Sequence, residues 1–171
     1  MKKIILIIVL FMSTFVWADS PPDWRTNYTI ESMNKKFTAE ISPVRMGAKE
    51  KPWEWKYQIV VNETGKKLPQ IWKKEYFHTG YSDGMLSNDG KYFVYIEFWY
   101  YSTGDLITVY SSKYIKGWNA SDLSVSSWWL TKTVSHKLWL SDDNSPEFIE
   151  KDGKTIGLRI FTVKGQRKIF F

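Results

Sequence analysis

The chain has 171 residues, 24 Lys and Arg against 18 Asp and Glu, a formal net charge of +6 and no cysteine. This length fits one domain with a core of its own. The lack of cysteine excludes a disulfide framework, a thiolate metal site and a cysteine nucleophile.

The first residues have the three-part pattern of a secretion signal. Lys2 and Lys3 give a positive start, residues 4–15 form an apolar segment, and small residues lead to a cleavage point after Ala18. The apolar segment is shorter than the ~20 residues of a typical membrane-spanning helix. We therefore expect a cleavable signal peptide, with an uncleaved N-terminal anchor as the alternative.

Cleavage at this point divides the chain into a signal peptide, residues 1–18, and a single β-rich domain, residues 19–171. The absence of cysteine from an exported chain favours a bacterial source. We expect a periplasmic or secreted protein that is not inserted in a membrane after cleavage. In that compartment an exported protein or an envelope glycan is the expected partner. Nucleic acid is not, and no cofactor or metal is predicted.

Strand patterns follow in chain order. Apolar and polar residues alternate over residues 37–42 and 53–61, which predicts two half-buried strands. Residues 92–101 contain one charged residue, Glu97, so this strand is either covered on both faces or offers one face to a ligand. Shorter apolar runs follow up to Phe171, separated by glycine, proline and aspartate turns.

Residues 119–130 are the one candidate helix, with Ser121 and Asp122 as possible capping residues. The regular spacing of the strand patterns predicts an all-β fold. We expect a single antiparallel meander, sandwich or barrel of about 8–10 strands with one short helix. Its hairpins resemble propeller blades, but the chain is too short for a full propeller, whose blades take about 40 residues each.

Residues 86–96, Leu-Ser-Asn-Asp-Gly-Lys-Tyr-Phe-Val-Tyr-Ile, carry a family resemblance. They resemble the Ser-Pro-Asp-Gly-Lys hairpin of TolB-type, WD40-like propeller repeats, with Asn88 in place of proline. Extended to about Leu123, the segment is also similar to small exported bacterial proteins of unassigned function. The resemblance implies a tight turn followed by a blade strand, and it implies no catalytic residues.

Few residues are candidates for catalysis. Glu97 stands alone in an aromatic strand, and His78 enters a glycine loop; these two are the weak catalytic candidates. The second histidine, His136, shares a predicted strand face with leucines and is expected to be a hydrogen-bonded core residue. The histidine spacing gives no support to a metal site. Catalysis is therefore the less favoured function.

The aromatic content is the unusual feature, with ten Trp, ten Tyr and ten Phe. Alternate residues of the central strand would form a row of rings with one carboxylate, which a sugar or a peptide can stack on. The predicted ligand-binding residues are Phe93, Tyr95, Glu97, Trp99 and Tyr101. The alternative is that this face lies in the core. Trp128 and Trp129 are adjacent, so at least one is expected to be exposed.

The leading hypothesis is an exported, non-enzymatic β domain that binds a protein or glycan in the bacterial cell envelope or outside the cell. Two alternatives remain at this point. One is a small hydrolase acting on an envelope or extracellular polymer through Glu97 or His78. The other is an inhibitor or immunity-type protein of a secreted enzyme.

Overall fold

A computed structural model describes residues 27–45, 55–67, 69–76, 84–133 and 136–171. The predicted signal peptide and cleavage point, and the candidate His78, lie outside these ranges. The described residues form eleven strands in three antiparallel sheets, so the all-β prediction is confirmed.

Each sheet uses one continuous part of the chain, and neighbouring strands in the chain are neighbours in the sheet. Sheet 1 consists of β1 (Tyr28–Glu31), β2 (Phe37–Arg45), β3 (Lys56–Glu63) and β4 (Gln70–Tyr76). Sheet 2 consists of β5 (Met85–Leu86), β6 (Tyr92–Ile96), β7 (Asp105–Ser111) and β8 (Ile115–Asn119). Sheet 3 consists of β9 (Glu147–Lys151), β10 (Lys154–Thr162) and β11 (Gly165–Phe170).

The eleven observed strands exceed the expected 8–10 because very short strands show no recognisable hydrophobic pattern in the sequence. β5 has two residues, too few to show an alternation of apolar and polar side chains. In the part of the chain that the structure describes, the three sheets are open, with no barrel closure, and three are fewer than a propeller needs. An all-β meander of three open antiparallel sheets is therefore the observed architecture.

Sheet 2 lies between the other two sheets, because each of its faces contributes to a different core. The core shared with sheet 1 includes Ile41, Tyr57, Ile59, Tyr76, Phe93 and Tyr95. The core shared with sheet 3 includes Val94, Ile96, Ile107, Val109, Leu158 and Ile160. Successive residues of β6 thus alternate between two buried faces, which explains why the strand lacks polar residues.

The turn between β5 and β6, residues 87–92, is called the Ser87 turn here. Ser87 N donates to the carbonyl of Tyr92 at 3.0 Å, and Tyr92 N donates to Ser87 Oγ at 3.0 Å. Ser87 Oγ in turn donates to Asp89 Oδ1 at 2.8 Å. Gly90 adopts the left-handed conformation that closes the turn, with φ of 68°.

The turn between β1 and β2, residues 32–37, repeats this arrangement and is called the Ser32 turn. Ser32 N donates to the carbonyl of Phe37 at 3.0 Å, Phe37 N donates to Ser32 Oγ at 3.1 Å, and Ser32 Oγ donates to Asn34 Oδ1 at 2.8 Å. Lys35 occupies the place of the left-handed glycine, with φ of 59°. Sheets 1 and 2 therefore begin with equivalent turns, although only the second contains Asp-Gly-Lys.

The Ser87 turn connects all three sheets through its polar side chains. Asn34 N donates to Asn88 Oδ1 at 2.9 Å, and Asn88 Nδ2 donates to Glu150 Oε1 at 2.8 Å. Asp89 Oδ2 accepts a hydrogen bond from Thr155 N at 3.1 Å. Burial alone would raise the pKa of Asp89, but its hydrogen bonds, with the nearby Lys91 ammonium, outweigh burial and lower that pKa below its ordinary value.

The predicted helix over residues 119–130 is wrong in its extent. Its only helical part is a 3-10 turn, Ser127–Trp129. Before it, a single turn ends where Ser124 takes a left-handed conformation, with φ of 54°. Val125 N then donates to the carbonyl of Ala120 at 2.8 Å, and Ser124 N donates to that of Ser121 at 3.0 Å. This pair of bonds is the Schellman motif, which terminates a helix.

Candidate functional site

The predicted row of aromatic side chains does not form one open face. Phe93 and Tyr95 are 0% and 4% exposed and lie under sheet 1. Each packs edge-on against the ring of Tyr76, with ring centroids 5.6 and 5.8 Å apart. The predicted row requires a strand that continues to Tyr101, because only in a strand do alternate side chains point to the same face. β6 ends at Ile96, so the later residues of the row do not share that face. The alternative in which this face belongs to the core is the observed one.

Glu97, the third residue of the row, stabilises the chain just after β6. Its carboxylate Oε1 accepts a hydrogen bond from Trp99 N at 2.9 Å. Its backbone carbonyl accepts one from Trp139 Nε1 at 2.7 Å, and its N donates to the carbonyl of Leu106 at 2.8 Å. The carboxylate therefore has a local structural role in closing this turn.

Trp99, half-buried, packs on His136 rather than lining an open surface. The two ring centroids are 4.6 Å apart, and the ring of Phe98 is 5.7 Å from that of His136. His136 is 5% exposed, and its Nδ1 lies 3.0 Å from Thr133 Oγ1. The prediction of a hydrogen-bonded core histidine is confirmed. Of the five predicted ligand-binding residues, Tyr101 alone is mostly exposed.

An open groove of about 750 Å³ lies next to this end of sheet 2. Tyr100 and the loop that follows it, residues 102–104, form one wall. The other wall comes from residue 119, where β8 ends, and from residues 120–121, 124–126 and 128, which follow β8. The volume falls within the range of about 300–1,000 Å³ that is typical of ligand pockets.

The second wall is shaped by the single turn after β8. Asn119 Oδ1 accepts hydrogen bonds from Ser121 N at 2.9 Å, Ser121 Oγ at 2.6 Å and Asp122 N at 3.2 Å. Asp122 Oδ2 accepts one from Asn119 N at 2.9 Å. These reciprocal bonds cap the start of the turn, and Leu123 anchors it in the core between sheets 2 and 3. The wall is therefore attached to the core between sheets 2 and 3.

Two tryptophans project from the 3-10 turn at the end of this wall. Trp128 is 90% exposed and Trp129 is 78% exposed, so the expectation that at least one is exposed is confirmed. Trp128 lines the groove, while Trp129 is not among the lining residues. Large aromatic side chains left in water are a feature of binding surfaces, because their burial by a partner is strongly favourable.

The groove combines one exposed aromatic ring, that of Trp128, with hydroxyl groups and one amide. None of its eleven lining residues, all within the described ranges, carries a charged side chain. The Tyr100 hydroxyl is neutral near pH 7 as well, since the ordinary pKa of tyrosine is about 10 and burial raises the pKa of Tyr100 above it. Such a lining can stack against a ring and form neutral hydrogen bonds with a ligand.

Sequence patterns pointed to β6 and missed this groove. The available signal was the combination of a serine-rich segment, residues 121–127, with two tryptophans directly after it. Serines are poor helix formers, so they favour a turn that holds the following aromatic residues outside a regular element.

The described residues contain neither a metal-binding cluster nor a membrane-spanning helix. Among them, no group of three or more His, Asp or Glu side chains is placed to hold a metal ion. Within the same ranges, no helix has both the length and the apolar character needed to cross a bilayer.

Comparison of the chain with protein-family models, with curated proteins and with solved structures gave no match.

Proposed function

We propose that the protein is an exported, non-enzymatic binding domain that holds a protein or glycan partner of the bacterial envelope or the extracellular space. The observation that carries this proposal is the groove beside sheet 2 with Trp128 standing exposed on its rim. Export is supported by the signal-peptide pattern of residues 1–18.

Two properties of the groove support binding. Its second wall is held by a capped turn and by the core, so little conformational entropy is lost when a ligand binds. Its exposed tryptophan offers a large apolar surface, and the transfer of such surface from water contributes about 25 cal/mol per Å². Rigid aromatic residues on a preformed surface are typical of binding sites.

The described chemistry gives catalysis less support than binding. The carboxylate of Glu97 accepts a hydrogen bond from the backbone of its own turn. His78 lies outside the described residues. The groove itself is lined by neutral side chains, whereas general acid–base catalysis uses titratable groups.

The test is direct binding of the purified protein to a panel of isolated envelope glycans and exported proteins, measured by biolayer interferometry. We expect at least one partner to bind, and the double variant Trp128→Ala/Trp129→Ala to lose most of that binding. Phe170→Ala is the matched control, because Phe170 is also a largely exposed aromatic residue, at 59%, but lies on β11 of sheet 3.

This control variant should bind as the unmodified protein does. Absence of binding across the panel would argue against the proposal. Binding that survives in the double variant would also contradict it, because the partner would then use another surface.

A further inference from the structure

We infer that the groove beside sheet 2 takes a neutral glycan chain, an inference that rests on the proposed binding function. Three properties of the groove support it: the charge of its lining, the polar groups that the lining leaves open, and the position of Trp128.

The charge of the lining contrasts with that of the chain. The whole chain carries 24 Lys and Arg residues and a net charge of +6, yet none of them is among the described residues that line the groove. An anionic polymer is recognised by Lys and Arg side chains that neutralise its charge. Charged groups of a ligand would lose their hydration in this groove without such compensation. An uncharged ligand fits the lining.

Several hydroxyl groups of the groove are available for a ligand. Ser126 precedes the 3-10 turn but makes no capping hydrogen bond with its side chain. Within the described part of the chain, the hydroxyls of Thr103 and Ser124 likewise have no hydrogen-bond partner. A sugar carries a hydroxyl on most of its ring carbons, and each hydroxyl both donates and accepts hydrogen bonds, as serine and threonine do.

Trp128 supplies the apolar contact that a sugar ring requires. A pyranose ring has polar edges and a face of C–H groups, and that face packs against a flat aromatic ring. Trp128 is 90% exposed at the rim of the groove, so its indole is accessible to such a face. The neutral hydroxyls and this ring together match a sugar's polar edges and apolar face.

The test is isothermal titration calorimetry of the purified protein with defined oligosaccharides. The neutral probes are maltohexaose, cellohexaose, laminarihexaose and N-acetylchitohexaose, and the anionic probe is hexagalacturonate. The variant is Trp128→Ala, and the matched control is Trp129→Ala, since Trp129 is the adjacent and similarly exposed residue but does not line the groove.

We expect at least one neutral hexasaccharide to bind, Trp128→Ala to weaken it about tenfold, and Trp129→Ala to change it less than about twofold. Ser126→Ala provides a second variant, with a loss of about threefold to tenfold expected for one neutral hydrogen bond. Both tryptophans are exposed, so circular dichroism should show that their variants remain folded.

Other outcomes separate this inference from the proposed function. If no neutral sugar binds while hexagalacturonate or an exported protein binds through Trp128, the inference of a neutral glycan is overturned and the binding function stands. If a neutral sugar binds but Trp129→Ala weakens it as much as Trp128→Ala does, the sugar lies outside the groove and the inference is again overturned. If nothing in either panel binds, both fail.

Discussion

Replacement of Gly90 by alanine tests how the Ser87 turn packs against sheet 1. Gly90 has a φ of 68°, and its carbonyl accepts a hydrogen bond from the buried Trp72 Nε1 at 2.7 Å. A Cβ atom on Gly90 would lie 2.6 Å from Phe37 Cδ1 and 2.8 Å from Phe37 Cγ. Carbon atoms in contact are normally about 3.5–4.0 Å apart, so the ring or the turn must move by about 1 Å.

Two effects contribute to the expected loss of stability. An L-residue in the left-handed region costs roughly 1–2 kcal/mol, partly offset by about 0.4–1 kcal/mol because alanine restricts the unfolded chain. Overpacking against the partly buried ring of Phe37 adds about 1–3 kcal/mol. We therefore expect Gly90→Ala to lower the free energy of unfolding by about 2–4 kcal/mol, a large part of the usual 5–15 kcal/mol.

Gly65→Ala is the matched control for the backbone effect. Gly65 has a φ of 77°, and a Cβ atom there would meet nothing within 4 Å. This variant should lose about 1 kcal/mol, measured for both variants by urea unfolding followed through tryptophan fluorescence. The steric argument is refuted if Gly90→Ala destabilises the protein no more than Gly65→Ala does. Adding Phe37→Leu should reduce the penalty of Gly90→Ala, which a double-mutant cycle measures.

Three further predictions concern single residues. Because the pKa of Asp89 is lower in the folded protein than the ordinary value of about 3.9, the ionised carboxylate stabilises the fold at neutral pH. This stabilisation is lost as the pH falls from about 3.9 through the folded pKa, so Asp89→Asn should flatten the acid side of a plot of unfolding free energy against pH. Lys35→Gly should raise the free energy of unfolding by up to about 1 kcal/mol, since glycine tolerates a φ of 59°; a loss in urea unfolding would contradict this. Trp139→Phe removes the hydrogen-bond donor to the Glu97 carbonyl and should lower the free energy of unfolding by about 2 kcal/mol in the same assay. An unchanged urea midpoint would show that this hydrogen bond does not stabilise the fold.

The all-β class could be predicted from sequence because local patterns determine it. Turn residues such as Asp-Gly separate apolar runs, and residues 92–96 lack polar side chains because both faces are buried. The pattern did not show which sheets cover those faces, since sheets 1 and 3 come from distant parts of the chain. The equivalence of the Ser32 and Ser87 turns was likewise hidden, because Lys35 replaces the glycine that marks such a turn.

The site was misplaced for a related reason. The predicted row assumed that strand geometry continues to Tyr101, but β6 ends at Ile96, and the carboxylate of Glu97 then binds Trp99 N. The observed groove forms where the loop of residues 102–104 meets the segment after β8. Tertiary packing brings these two irregular segments together, and neither secondary-structure propensity nor hydrophobic periodicity in the sequence predicts it.

The succession of the three sheets along the chain has a consequence for folding kinetics. Each strand pairs with its neighbour in sequence, so hydrogen bonding within a sheet closes only short connections. The entropic cost of closing such loops is small. Packing of one sheet on another instead joins residues that are far apart in the chain, and such distant contacts slow folding. We expect sheet 2 to be the slowest to reach its final packing, because its two faces become buried only when the sheets before and after it are in place.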